Sequence, residues 1–193
     1  MGNSAAEGAS AFGFLTVRYH YQLGFFGGLL TVNALGRPKE FHCTLPLRPN
    51  RAQEILYGAA LIDFVCGEQI GLALAKRPKI APSLLLTDSR AVAGLRRVHS
   101  TPLVLIDGSL GGDEPSGGSS RVELIRPESE LPSEQLIGSS LAGRPIMVLR
   151  DCAADAEMAA QMWEELRPQI DLEEPFSRIV EALCEAHPSA RAA

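Results

Sequence analysis

Gly27–Glu68 reads GGLLTVNALGRPKEFHCTLPLRPNRAQEILYGAALIDFVCGE. This stretch decides the fold: two strands joined by a turn run straight into the longest helix candidate in the chain. Gly28 to Asn33 predicts one strand and Lys39 to Leu45 the next. Between them Gly36 supplies a positive φ, and Pro38 cannot sit in a central ladder. Pro46 and Pro49 end the second strand, and Asn50 with Gln53 forms a capping box. Apolar residues then fall at 52, 55, 56, 59, 62, 66, 70, 73 and 74, the spacing of a helix with one buried face. Gly58 and Gly67 are its weak points, and Arg77-Pro78 ends it.

Working outward, residues 1–11 are small and polar and read as a disordered leader. Phe12 to Tyr21 is aromatic and β-branched and predicts a first strand, with a turn over Leu23–Gly28. The three strands form an antiparallel meander. Beyond the helix, Ser83 to Thr87 and Pro102 to Asp107 are short, continuously apolar strands. The helix from Arg90 to His99 between them implies parallel pairing. Residues 12–107 make an α/β core and residues 108–120 a flexible Gly/Ser loop. Residues 121–187 complete the same domain: an edge strand at Arg121–Ile125, an irregular Pro127–Gly143 with a short helix near Ser133–Ile137, a strand at Pro145–Leu149, and helices over Ala153–Arg167 and Pro175–Ala186. Residues 188–193 are a tail.

At 46% hydrophobic and 21% charged, the composition is that of a globular protein. No export signal opens the chain and no apolar run approaches a bilayer's thickness, so the expectation is a cytoplasmic, bacterial-type protein without a membrane partner. Four scattered cysteines fit reduced thiols. The net charge of −5 excludes a general polyanion binder, but it is unevenly spread. Residues 1–100 carry 11 Lys and Arg against 6 acids, and residues 101–193 carry 7 against 17. A basic first half (Arg18, Arg37, Lys39, Arg48, Arg51) suits nucleic acid or an acidic partner; an acidic second half suits a protein partner.

Phosphate-loop and nucleophile-elbow patterns are missing from the sequence. His42 and Cys43 are strand neighbours that leave opposite faces, so one metal cannot take both; Cys43 reads as core and His42 as a surface or hydrogen-bonded residue. No second ligand pair has zinc spacing. Three carboxylates are better placed: Glu54 in the first turn of the long helix, Asp88 after one buried strand and Asp107 after the next. Acids at strand ends and a facing helix can converge on Mg²⁺. Each also has a structural role open to it. Asp88 can cap the following helix, Glu54 can sit at its helix dipole, and Asp107 can shape a turn.

The order of elements resembles the ribonuclease H-like fold: three antiparallel strands, a helix, a strand, a helix and a strand. Gly27-Gly28 resembles that family's glycine-led hairpin, Asn50-Arg51-Ala52-Gln53-Glu54 its Asn-Arg-x-Glu helix start, and Thr87-Asp88-Ser89 the Thr-Asp-Ser closing its fourth strand. The resemblance covers residues 12–107 and implies that Glu54 and Asp88 correspond to magnesium ligands. It also implies an essential acid on the first strand, where this chain has only Arg18, Tyr19 and His20. Glu54 falls one residue late, about 100° around the helix. A non-catalytic relative with no bound cofactor, serving as a binding or assembly subunit, is therefore the leading expectation. A Mg²⁺-dependent nuclease or phosphoryl hydrolase using Glu54, Asp88 and Asp107 is the first alternative. An oligomeric scaffold, with a roadblock- or profilin-like build, is the second.

Overall fold

A computed structural model describes residues 11–106 and 124–188. Among the described residues seven strands form one sheet: β1 (Phe12–His20), β2 (Gly24–Val32), β3 (Pro38–Cys43), β4 (Leu84–Thr87), β5 (Leu103–Ile106), β6 (Leu136–Leu141) and β7 (Arg144–Leu149). Their order across the sheet is β3-β2-β1-β4-β5-β7-β6. The first three pair antiparallel, and β1, β4 and β5 run parallel. This is the ribonuclease H-like arrangement expected from the sequence. The hairpin β6–β7 then extends the sheet antiparallel beyond β5.

Period-two alternation along β1 divides the core. Phe12 and Phe14 face one side with Phe26, Leu84, Leu86 and Val104, under α4 (Ala154–Leu166) and α5 (Glu174–Ala186). Leu15 and Val17 face the other side with Leu29, Leu85, Ile70 and Leu74. That second face is covered by a long helical run and by a 3₁₀ helix at Arg90–Arg97.

The run begins as α1 (Arg51–Tyr57), with the expected Asn50–Gln53 capping box. It breaks at Gly58, whose φ is +50° and ψ −127°. A 3₁₀ turn at Gly58–Ala60 leads to α2 (Leu61–Asp63), a π-helical stretch at Phe64–Gly71 and α3 (Leu72–Ala75). By length and composition alone Arg51–Ala75 is long and apolar enough to cross a membrane. Val65, Cys66, Ile70 and Leu74 are instead buried in the sheet's second core.

The glycine pair that opens the decisive stretch lies within β2, not in a turn, because both faces of the sheet need bare backbone there. A Cβ on Gly27 would stand 2.7 Å from Ile70 Cγ2, and one on Gly28 would stand 2.6 Å from Ile179 Cγ2. Helices thus approach β2 closely from both sides. The tight turn into β2 covers residues 21–23 and ends on Gly24, the first residue of the strand, with φ +94°.

Four further expectations are corrected. Residues 136–141 form a strand, β6, where an irregular segment was expected; its LIGSSL sequence lacks alternation, and its pairing with β7 is set by an Ala142-Gly143 turn with both φ positive. Cys43 is exposed, because β3 is an edge strand whose residues are exposed or partly buried and none fully buried. The apolar face expected on α1 is not buried: no residue of α1 is. Asp88 does not cap the helix after it; the N-cap is Ser89, without a side-chain bond, and Asp88 bonds elsewhere. The predicted 1–11 leader, apart from Ala11, the 108–120 loop, Arg121–Glu123 of the edge strand and most of the 188–193 tail lie outside the described residues.

Candidate functional site

The parallel strands β1 and β4 end side by side, and this edge of the sheet gathers the polar groups. Thr16 and Arg18 continue the Phe12–Phe14 face of β1 towards its carboxyl end. Both are buried, as is Asp88 immediately after β4. Strand register places Leu15 beside Thr87, so Thr16 and Arg18 lie alongside Asp88.

The three form a closed network. Arg18 Nη2 donates to Asp88 Oδ2 at 2.5 Å, and Nη1 donates to Asp88 Oδ1 at 3.3 Å. The Thr16 hydroxyl donates to Asp88 Oδ1 and accepts from Arg18 Nη1. From the far side Arg126 Nε reaches Asp88 Oδ2 at 3.2 Å. Burial by itself raises the Asp88 pKa, but the Arg18 charge and hydrogen bonds, then Arg126 and Thr16, outweigh it and hold the carboxyl below its ordinary value. Asp88 is an anion between two guanidinium groups.

Arg126 comes from a strap that crosses this end of the sheet. Ile125 exchanges two backbone hydrogen bonds with Tyr19, at 2.9 and 3.1 Å. Ser129 donates to Asp63 Oδ1 at 2.5 Å, and Arg90 Nη2 donates to the Leu131 carbonyl at 2.6 Å. With these ties Ile125, Arg126, Pro127 and Glu128 form one wall of a cleft of about 820 Å³. Tyr19, Tyr21, Phe25, Leu61 and Ile62 supply its apolar surface, and Arg48 and Glu54 close it from the α1 side.

The residues singled out in the sequence are therefore dispersed. Glu54 lines the cleft and pairs with Arg51 at 2.9 Å, while Asp88 lies behind Arg126 and does not line it. Asp107 is outside the described residues. Of the five basic residues, Arg18 is buried and Arg48 faces the cleft. Arg37 and Lys39 sit at the β2–β3 turn, the opposite end of β2 from Leu47, which pairs with Phe25. They cannot share one face with Arg48. Thr16, Tyr19, Tyr21 and Arg126 were not singled out as site residues; nothing local to residue 126 signals that it returns to a strand more than a hundred positions earlier.

The donor set does not fit the divalent cation that the ribonuclease H-like resemblance implies. Both oxygens of Asp88 are engaged by Thr16, Arg18 and Arg126, and β1 presents a guanidinium where such a site needs a carboxylate. Among the described residues no three His, Cys, Asp or Glu side chains cluster as a ligand set. A cation here would have to displace two fixed positive charges.

Fold and site together define a ribonuclease H-like α/β domain with an arginine-locked carboxylate beneath a cleft. No protein-family model matches the chain, and no curated protein matches it. Among solved structures it is similar to human ENDOV, at 15% identity and a TM-score of 0.46, over 98% of this chain and 89% of that one. It is also similar to Ciona intestinalis endonuclease V in complex with a 23mer DNA containing an inosine followed by a ribo-adenosine, at 15% identity and a TM-score of 0.41, over 80% and 76%.

Proposed function

We propose that this chain is a binding domain without hydrolytic chemistry at its β1/β4 centre, and that its cleft receives a segment of single-stranded nucleic acid. The observation that carries this is the Arg18–Asp88–Arg126 network. It spends the carboxylate of β4 on holding arginines, and one of those arginines faces the cleft. With Nε on Asp88, the Arg126 guanidinium keeps its two terminal amino groups for an anion, a fork suited to phosphate. Arg48 adds a second cation on the opposite wall. Tyr19, Tyr21 and Phe25 offer ring faces between them, and base–aromatic stacking is tolerant of sequence. The acidic helices α4 and α5, on the other face of the sheet, are left for a protein partner.

Glu54 and Glu128 on the rim disfavour a continuous polyanion track and limit the site to a few nucleotides. Binding of a short fluorescent oligonucleotide in EDTA tests the reading. Two arginine–phosphate contacts on a single strand give a salt slope of about −1.4. Arg126→Ala is expected to lower both the affinity and the slope, while Arg37→Ala, at the other end of the sheet, leaves them unchanged. Equal loss in both variants, or no binding at low salt, overturns the nucleic-acid assignment.

A further inference from the structure

Three loops converge on the end of the sheet opposite the cleft. The β2–β3 turn lies there because Val32 pairs with both Phe12, at the start of β1, and Pro38. The loop before β4 joins it, since Ser83 donates its amide to the Ala11 carbonyl, and so does the loop before β5, since Leu103 starts opposite Leu85. Residues 34–39, 76–83 and 96–102 carry seven Lys and Arg and not one acid. Arg96 is tied to Asp155. Arg37, Lys39, Lys76, Arg77, Lys79 and Arg97 are exposed and form no ion pair among the described residues. Each loop also carries one large apolar tip: Leu35 is 57% exposed, Ile80 43% and Val98 44%. The Ile80 tip is fixed in place. Glu40 accepts the Lys79 and Ile80 amide protons at 3.1 Å and pairs with His42, so its charge is engaged. Burial, then the Lys76 and Arg96 charges, holds the His99 pKa below its ordinary value, which places Lys76 beside the Val98 loop.

We propose that this end of the sheet docks on an anionic lipid surface, with Leu35, Ile80 and Val98 entering the headgroup layer and the lysines and arginines around them on lipid phosphates. The unpaired cations set the sign of the partner, and geometry selects its kind. The tips come from separate loops spread across the strands from β3 to β5, roughly 15–20 Å at the usual strand spacing. They form no contiguous apolar centre of the sort a protein interface is built on. A headgroup layer needs none: it takes each tip separately, while lysine stems lie along it and carry their ammonium groups to phosphate. The same loops hold no Phe, Tyr or Trp, so, unlike the cleft, they offer nucleic-acid bases nothing to stack on. The expectation of no membrane partner rested on the length needed to span a bilayer, which attachment to its surface does not require.

Co-sedimentation of the full chain with vesicles of equal parts phosphatidylglycerol and phosphatidylcholine tests this. Binding is expected at low salt, and it should disappear on phosphatidylcholine alone and weaken steeply in about 0.5 M salt. Each cation at an anionic leaflet contributes about fivefold in partitioning, so the double variant Lys76→Gln/Lys79→Gln should bind about 25-fold more weakly. Ile80→Ser should weaken binding roughly fivefold. Circular-dichroism spectra should be unchanged, because these side chains are exposed and the bonds to Glu40 use backbone amides. Leu56→Ser, on the exposed side of α1 at the cleft end, should leave vesicle binding as it is. No binding to the mixed vesicles at low salt overturns the proposal. So does equal binding to phosphatidylcholine alone, or loss through Leu56→Ser in place of the lysine pair. Lysine-dependent capture of polyglutamate or duplex DNA without vesicle binding overturns it as well, and assigns this end to a protein or nucleic-acid partner.

Discussion

Neutralising Asp88 should destabilise the protein far more than it alters any chemistry. Asp88→Asn keeps the shape and one acceptor oxygen but leaves the Arg18 guanidinium, whose side chain is 7% exposed, without its counter-charge. Removing one partner of a buried pair costs about 3–5 kcal/mol. For a domain of this length that is a fall in Tm of roughly 6–20 °C. Arg18→Met should cost less, about 2–3 kcal/mol, because Asp88 retains Arg126 and the Thr16 hydroxyl. In the double variant no buried charge remains uncompensated, so its cost should fall short of the summed single costs by about 2 kcal/mol. Urea unfolding of the four proteins supplies the cycle, with constant m-values as the check on two-state behaviour. Additivity within about 0.5 kcal/mol would refute the network as a coupled unit.

Three other outcomes follow from the same structure. Because the folded-state pKa of Asp88 is depressed, its contribution is complete above the unfolded value of about 3.9 and is lost as pH falls through the folded value. The stability gap between wild type and Asp88→Asn, followed by thermal melts, should therefore narrow from pH 5 to pH 2. Gly27→Ala places a methyl against Ile70, Leu74 and the Thr16 carbonyl and should cost about 1–3 kcal/mol in chemical denaturation. Asp155→Asn removes the charge that binds Arg96 at 2.7 Å and retains at most two of the three bonds now made to Arg96 and the Leu103 amide, so it should lower Tm without changing oligonucleotide affinity.

The sheet was legible in the sequence because its strands are signalled locally. FGFLTVRYH is β-branched and aromatic, and LLLT and LVLI are short apolar runs between turn residues. β6 was not legible: it is an edge strand of mixed small residues, and its pairing depends on Ala142 taking a positive φ that alanine rarely adopts. The face of α1 was read inside out, since helical spacing shows that a helix has an apolar side and not what that side meets. The site was legible in part. The lack of an acid on β1 and the place of Asp88 at the end of a buried strand were both read directly. Its partners were hidden. Arg18 reads as a surface cation until the parallel register sets it beside Asp88, and Arg126 arrives along a strap whose route is fixed only by tertiary ties to Tyr19, Asp63 and Arg90.

The central claim is that arginines occupy the β1/β4 centre and leave it to bind rather than to cut. A single titration of labelled single-stranded oligonucleotide, run in EDTA and repeated with Mg²⁺ or Mn²⁺, addresses it most directly. The expected result is the same affinity in both buffers, intact oligonucleotide after prolonged incubation, and weaker binding by Arg126→Ala. Metal-dependent cleavage that disappears in a folded Asp88→Asn variant would contradict it.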